Sequence, residues 1–240
     1  MAIGIVFFVN GATFGSWAPR LPEIREGLGV SDTVLGLTLV GSGLGGLVMS
    51  LVSGVLVDRF GSRATTVSTS LALLVVMPLV AVVPLPALFF VLLLAIGGLD
   101  GLTDVAQNTQ AIDLQRGLRR SILNRMHATW SIGTLSSGVI TSWLATTWIT
   151  LTWQLVVTSV LLAAMVVAAT PFLLAPGDAP AAAPTIPAGP TGVGTAASVA
   201  DLGDGPSVEV SPEVGSTHSG NMASGPTAPP RRLLAGLFGI

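Results

Sequence analysis

Apolar residues run along this chain in long stretches broken by short polar or charged links, and the stretch lengths set the expected fold. About 20 mostly apolar residues span the hydrocarbon core of a bilayer. Six segments reach that length, at 2–18, 33–57, 65–83, 87–110, 122–145 and 152–175. The breaks fall at Pro19 to Asp32, Asp58 to Arg63, Pro84 to Pro86, Asp113 to Arg120 and Thr146 to Thr152. The last break carries no charge, so the fifth and sixth segments are the least sharply separated. With no water to satisfy the backbone inside a bilayer, such segments must be helices. The pattern therefore predicts an all-α membrane protein with a six-transmembrane-helix bundle over residues 1–175.

Composition then shifts. Residues 176–230 are rich in Ala, Gly, Pro, Ser and Thr and contain no aromatic residue. Such a segment buries too little apolar surface to offset its ordering entropy, which predicts a disordered cytoplasmic linker. Arg231 and Arg232 precede a mostly apolar run to Ile240. A basic pair followed by apolar residues is how a span begins on the inside, so 231–240 reads as the start of a truncated seventh transmembrane helix. The alternative is an amphipathic or merely sticky C-terminus. The first segment is short, with no cytoplasmic extension before it, which suggests a start downstream of the true one.

All ten basic residues are arginines. With the N-terminus inside, Arg59, Arg63, Arg116, Arg119, Arg120, Arg125, Arg231 and Arg232 are cytoplasmic, and only Arg20 and Arg25 are outside. The positive-inside rule thus places both termini in the cytoplasm of a multi-pass cell-membrane protein, as in a bacterial inner membrane. Charged residues make up only 9% of the chain, and the net charge is -2 with no basic run, so no nucleic-acid partner is expected. The absence of cysteine removes disulfides and thiol catalysis, and two histidines are too few for a histidine-built metal cluster. Neither a cofactor nor a nucleophile motif is indicated, so the chain is read as no enzyme. Met1 to Trp17 lacks the basic n-region and cleavage site of a signal peptide.

The polar exceptions inside the spans carry the chemistry. A mid-membrane aspartate costs about 2.5–3.5 kcal/mol on insertion scales. Asp100, Asp104, Gln107 and Asn108 fall within one arc of about 100° on the fourth helix, flanked by a Gly97-x-x-x-Gly101 packing face. This stripe predicts either a cavity lining or a hydrogen-bonded packing seam. The fifth span has a matching face at Asn124, His127, Ser131, Thr134 and Gly138. His127 and Asp104 lie at similar depth, so an acid–imidazole proton relay is one expectation. A histidine satisfied by Asn108 or a backbone carbonyl is the other. Asn10 and Thr13 share a face of the first span and are expected to line the same cavity. Trp17 suits the outer interface belt, and Arg20, Glu23, Arg25 and Glu26 suit weak surface pairing.

The hairpin between the second and third spans reads Gly54-x-x-x-Asp58-Arg59-x-Gly61-x-Arg63. Gly54 would allow close helix approach and Gly61 a tight turn. Anchoring of arginines at the inner surface explains Arg59 and Arg63 but not Asp58 or the glycine spacing.

This hairpin resembles the signature of major facilitator superfamily transporters. Residues 8 to 145 further resemble the fucose-permease-like branch, through Asn10-Gly11 to Arg25, the Gly61-Ser62-Arg63 turn, Thr103-Asp104-Val105-Ala106-x-Asn108-x-Gln110-Ala111 and Met126-His127-Ala128-x-Trp130-Ser131-x-Gly133. The resemblance implies the N-terminal half of a twelve-helix fold, built from two inverted three-helix repeats with helices one and four lining a central cavity. The missing C-terminal half would be its partner, and the hairpin the latch of the outward-facing state. It also implies alternating-access transport of a small-molecule substrate, such as a sugar, with protons. Asp104 and Asn108 match the acid and Asn of that branch's sugar–proton symporters. The first-helix acid of those symporters is replaced here by Asn10 and Thr13, which either removes proton coupling or moves it to Asp104, Asp100 and His127. A non-transporting scaffold or inactive transporter fragment is the alternative.

Overall fold

The computed structural model describes residues 1–175; the linker and seventh-helix expectations lie outside them. Seven α-helices form: α1 (Ala2–Gly15), α2 (Leu21–Leu28), α3 (Asp32–Phe60), α4 (Ser62–Val76), α5 (Pro86–Leu118), α6 (Leu123–Leu144) and α7 (Leu151–Ala169). Ser31 caps α3 through Val34 N–H and Thr150 caps α7 through Trp153 N–H, each at 3.4 Å.

Several boundaries differ from the hydropathy reading. The first span ends at Gly15 rather than 18, because Pro19 cannot extend an α-helix and a 3-10 turn at Ala18–Arg20 follows. The amphipathic α2 occupies most of the break from Pro19 to Asp32. Within the third span, α4 tightens at Pro78 into a 3-10 turn, Met77–Ala81. The fourth span, α5, runs through Asp113 to Leu118, not stopping at 110; its 33 residues measure about 50 Å, longer than the ~30 Å hydrocarbon core. It stops where Arg119 turns left-handed at φ 50°.

Among the described residues, five stretches are long and apolar enough to cross a membrane: Ala2–Leu28, Asp32–Phe60, Ser62–Ala81, Pro86–Leu118 and Leu151–Phe172. The 22-residue α6 has the length but is less apolar, because of its serines and threonines.

The main pairings are α3 with α5, α1 with α6, α4 with α5, α1 with α7 and α4 with α7. Exchanging the set α1, α3, α4 with the set α5, α6, α7 maps each pairing onto another or onto itself. That correspondence was invisible in the sequence.

Two of these seams are backbone-close. At the first, a Cβ on Gly45 would collide with Leu94 O, and one on Gly97 with Ser42 O. At the second, a Cβ on Gly11 would collide with Trp130 O, and one on Gly133 with Phe8 O. Without a hydrophobic drive between helices in lipid, such contact supplies the association energy.

The core divides into three clusters. One holds Trp17, Leu73, Met77, Phe89, Leu93 and Leu155, a second Ile3, Val6, Phe7 and Ala111, and a third Val9, Ala12, Leu74, Leu162 and Val166. Conversely, Leu37, Leu47, Leu51 and Val55 of α3 and Val160, Leu161 and Val167 of α7 are exposed, a distribution suited to acyl chains.

Two expectations fail here. Trp17 is buried in the core against Phe14, ring centroids 6.1 Å apart, and does not stand in an interface belt. Arg20 is only 5% exposed, so its pairing is not a surface one. It donates to Glu23 Oε2 at 2.6 Å, Gln154 Oε1 at 2.9 Å and Ile149 O at 3.0 Å. Gln154 Nε2 in turn donates to Ser16 O at 2.7 Å and Thr141 Oγ1 at 3.1 Å. A buried cation is tolerated here because acceptors surround it. Arg25 does pair at the surface, with Asp32 at 2.6 Å.

Candidate functional site

The polar positions of α1, α5 and α6 meet in a chain of hydrogen bonds. Trp130 Nε1 donates to Asn10 Oδ1 at 2.7 Å, and Asn10 Nδ2 donates to Asp100 Oδ1 at 2.7 Å. An indole N–H can only donate, which turns the Asn10 oxygen toward Trp130 and its amino group toward Asp100. Asp100 therefore receives a donor of fixed direction from a buried residue.

On its other side Asp100 lines a cavity of about 40 Å³ with Thr13, Phe14, Trp17 and Ser42. That volume exceeds the ~10–15 Å³ one water needs. Thr13 thus reaches this cavity, while its hydroxyl donates to Val9 O at 2.8 Å. Asn10 does not line this small cavity; it holds the other side of Asp100 through its amide.

One turn along α5, Asp104 is also exposed. Its Oδ1 accepts from Asn108 Nδ2 at 3.1 Å and Gln107 Nε2 at 3.3 Å. The predicted stripe splits at Gln107. Asp100 and Asp104 are exposed and Asn108 is half-buried, whereas Gln107 is 0% exposed, with its Oε1 unpartnered among the described residues. Thr65 and Thr66 hydroxyls on α4 are likewise buried without a partner there. The two carboxylates form no ion pair with a described basic group.

The predicted Asp104–His127 contact is absent. His127 Nδ1 lies 3.0 Å from Leu123 O, and its ring packs edge-on to Phe7 at 5.6 Å. The backbone carbonyl one turn back on its own helix takes the ring nitrogen, so the backbone-satisfied alternative describes it. Asn124 is exposed beside it. Thr134 leaves the open face and donates to Gly11 O at 3.1 Å.

In the hairpin, Gly61 adopts φ 82°, the conformation that calls for glycine. Among the described residues Gly54 makes no close helix contact, for a Cβ there would meet nothing within 4 Å. Asp58 and Arg59 are exposed, Arg63 is half-buried, and none forms an ion pair among the described residues. Arg59 lies 5.6 Å from the centre of the Phe60 ring.

Sequence reasoning missed Trp130, Gln154 and Gln110 as polar anchors. Gln110 Nε2 donates to Ser62 Oγ at 2.9 Å and Leu174 O at 3.1 Å. The signal was available for Trp130, which lies three residues past His127 and four before Thr134, on one helical face.

Residues 3–228 match the protein family described as Major Facilitator Superfamily. Over 129 residues the chain is 31% identical to an uncharacterised MFS-type transporter of Yersinia pestis, covering 54% of this chain and 34% of that protein. An uncharacterised transporter of Sinorhizobium fredii is 29% identical over the same shares of each chain. The membrane protein MosC of Rhizobium meliloti is 27% identical, over 56% of this chain and 33% of its own. The chain thus spans about a third of the length of the curated relatives it matches. No solved structure matches it.

Proposed function

Because this chain belongs to the major facilitator superfamily, a family of membrane transporters, we propose that it moves a small polar solute across the membrane by alternating access. In this reading residues 1–175 form the six-span N-terminal half of a twelve-helix carrier, with α6 as the fifth span and the termini on the arginine-rich, cytoplasmic side. The second half lies beyond them. A sugar or related metabolite is the favoured cargo class, with protons as the coupling ion, on the resemblance to the fucose-permease-like branch.

The observation that carries the reading is the Trp130–Asn10–Asp100 chain beside Asp104, which leaves two membrane-depth carboxylates without a described cation. Groups so costly to insert are retained where they bind or relay charge. Asn10, Thr13, Asp100, Asp104, Gln107, Asn108, Asn124 and His127 are the proposed substrate and proton path. Asp100, held by a neutral amide, is the better-positioned group, and His127 acts on its own rather than as the partner of Asp104.

The hairpin Gly54, Asp58, Arg59, Gly61 and Arg63 is the proposed latch. Its unpaired charges and the open space at Gly54 suit contact with the second half.

The test is solute uptake driven by an imposed pH gradient, screened over monosaccharides in vesicles holding the full-length protein. Asp104→Asn and Asp100→Asn should each abolish it. Wild-type uptake in either variant removes that residue from the coupling path, and no uptake of any solute by the wild-type protein favours the scaffold reading.

A further inference from the structure

We propose that the cleft between the first turns of α1 and the start of α6 binds an acidic phospholipid, with the acyl chain inside and the phosphate on Arg119, Arg120 and Arg125. The cleft encloses about 780 Å³, within the ~300–1,000 Å³ range of small-molecule sites. Its walls include Ile5 and Phe8 of α1, Leu114 and Leu118 of α5, Met126 of α6 and Met165 of α7. Aliphatic and thioether side chains of this kind fit a flexible hydrocarbon chain.

Arg125 is the one charged side chain lining it. Arg119 and Arg120 sit on the link between Leu118 and Ile122, and both of those residues line the same cleft. Arg125 thus stands on the cleft wall, and Arg119 and Arg120 lie on the exposed link that joins two of its lining residues. Arg116 pairs with Asp113 at 3.2 Å, but no described acid pairs with Arg119, Arg120 or Arg125. The link is also held in place. Gln115 Oε1 accepts from Ile122 N–H at 2.9 Å and Leu123 N–H at 3.4 Å, and Arg119 is left-handed at φ 50°.

A phosphate diester matches the guanidinium fork, and an acyl chain covers the apolar walls. A neutral lipid would leave Arg125 at the cleft without a described acidic partner. A soluble anion would leave the walls bare. Only an amphiphile with an anionic head satisfies both halves of the site, and the bilayer supplies one.

The test places the purified chain in nanodiscs of mixed phosphatidylcholine and phosphatidylglycerol and weighs retained lipid by native mass spectrometry. Phosphatidylglycerol should be retained in preference. Arg119→Gln, Arg120→Gln and Arg125→Gln, alone and combined, should erode that preference by about five-fold per arginine.

Gly4→Leu should lower retention with all arginines present. A Cβ at Gly4 meets only Met126, its sulfur 3.9 Å away, so the longer side chain projects into the cleft. As a second probe needing no substitution, a short-chain phosphatidylglycerol should bind at least ten-fold more weakly than the long-chain lipid. Equal retention of the two headgroups overturns the proposal. So does an arginine effect unaccompanied by any effect of Gly4→Leu or of chain length, which would assign the preference to surface charge alone.

Discussion

Asn10 shows how one side chain acquires its role from two neighbours. Its oxygen is spoken for by Trp130, so its amino group has one direction left, toward Asp100. Trp130→Phe keeps the ring but removes the donor. In detergent it should lower unfolding stability by about 1–3 kcal/mol, the cost of an unsatisfied buried acceptor. A cycle with Asn10→Ala should give a coupling of about 0.6–1.7 kcal/mol, the range seen between membrane helices. Strictly additive effects would mean that the bond is not formed. Arg20 invites a parallel comparison. Arg20→Met strands Gln154 Oε1 and Ile149 O and should cost about 2–4 kcal/mol, whereas Arg25→Met, at an exposed pair, should cost under ~1 kcal/mol. Thermal unfolding of both variants reads the difference, and equal losses would contradict the burial of Arg20. The sequence singled out Asn10, Asp100 and Asp104 because polar groups stand out in apolar spans. It did not show which atoms they bond.

At the scale of helices, close seams and open glycines separate cleanly. Gly45→Leu or Gly97→Leu drives side-chain atoms into the backbone of the facing helix, so the chain should lose its folded, monodisperse form. Gly54→Ala should be stable or gain up to about 1 kcal/mol, the helix-propensity difference at an open site. Size-exclusion profiles and melting curves of the three variants check this. If Gly54→Leu folds normally and yet stops transport in the full-length protein, the hairpin acts on something beyond the described residues. A folded, transporting Gly54→Leu removes Gly54 from the latch. The Gly97-x-x-x-Gly101 face was legible as a repeat of small residues. Its partners, Ser42 and Gly46 on α3, were not, because a spacing names a face without naming what it faces.

Across the whole molecule, the exposed apolar faces of α3 and α7 have lipid as their natural solvent, while α1 is largely covered by α6 and α7. The chain has no cysteine, so single cysteines can report its orientation directly. A cysteine at Gly29 should react with an impermeant maleimide in intact cells, and one at Gly117 only after lysis. The reverse result would invert the arginine-based topology.

Segment length, the charged hairpin and the membrane class were determined by the sequence itself. Each is a local quantity: hydropathy over about 20 residues decides whether a helix is long enough for a bilayer. The pairing of α1 with α6 and of α3 with α5 depends on backbone atoms meeting across 49 to 125 residues of chain, from Gly45–Leu94 to Phe8–Gly133. The burial of Arg20, the inward turn of Gln107, the core position of Trp17 and the separation of His127 from Asp104 likewise depend on which helices meet. A helix periodicity gives each side chain an angle about its own axis. Only packing decides whether that angle points at lipid, at a cavity or at another helix.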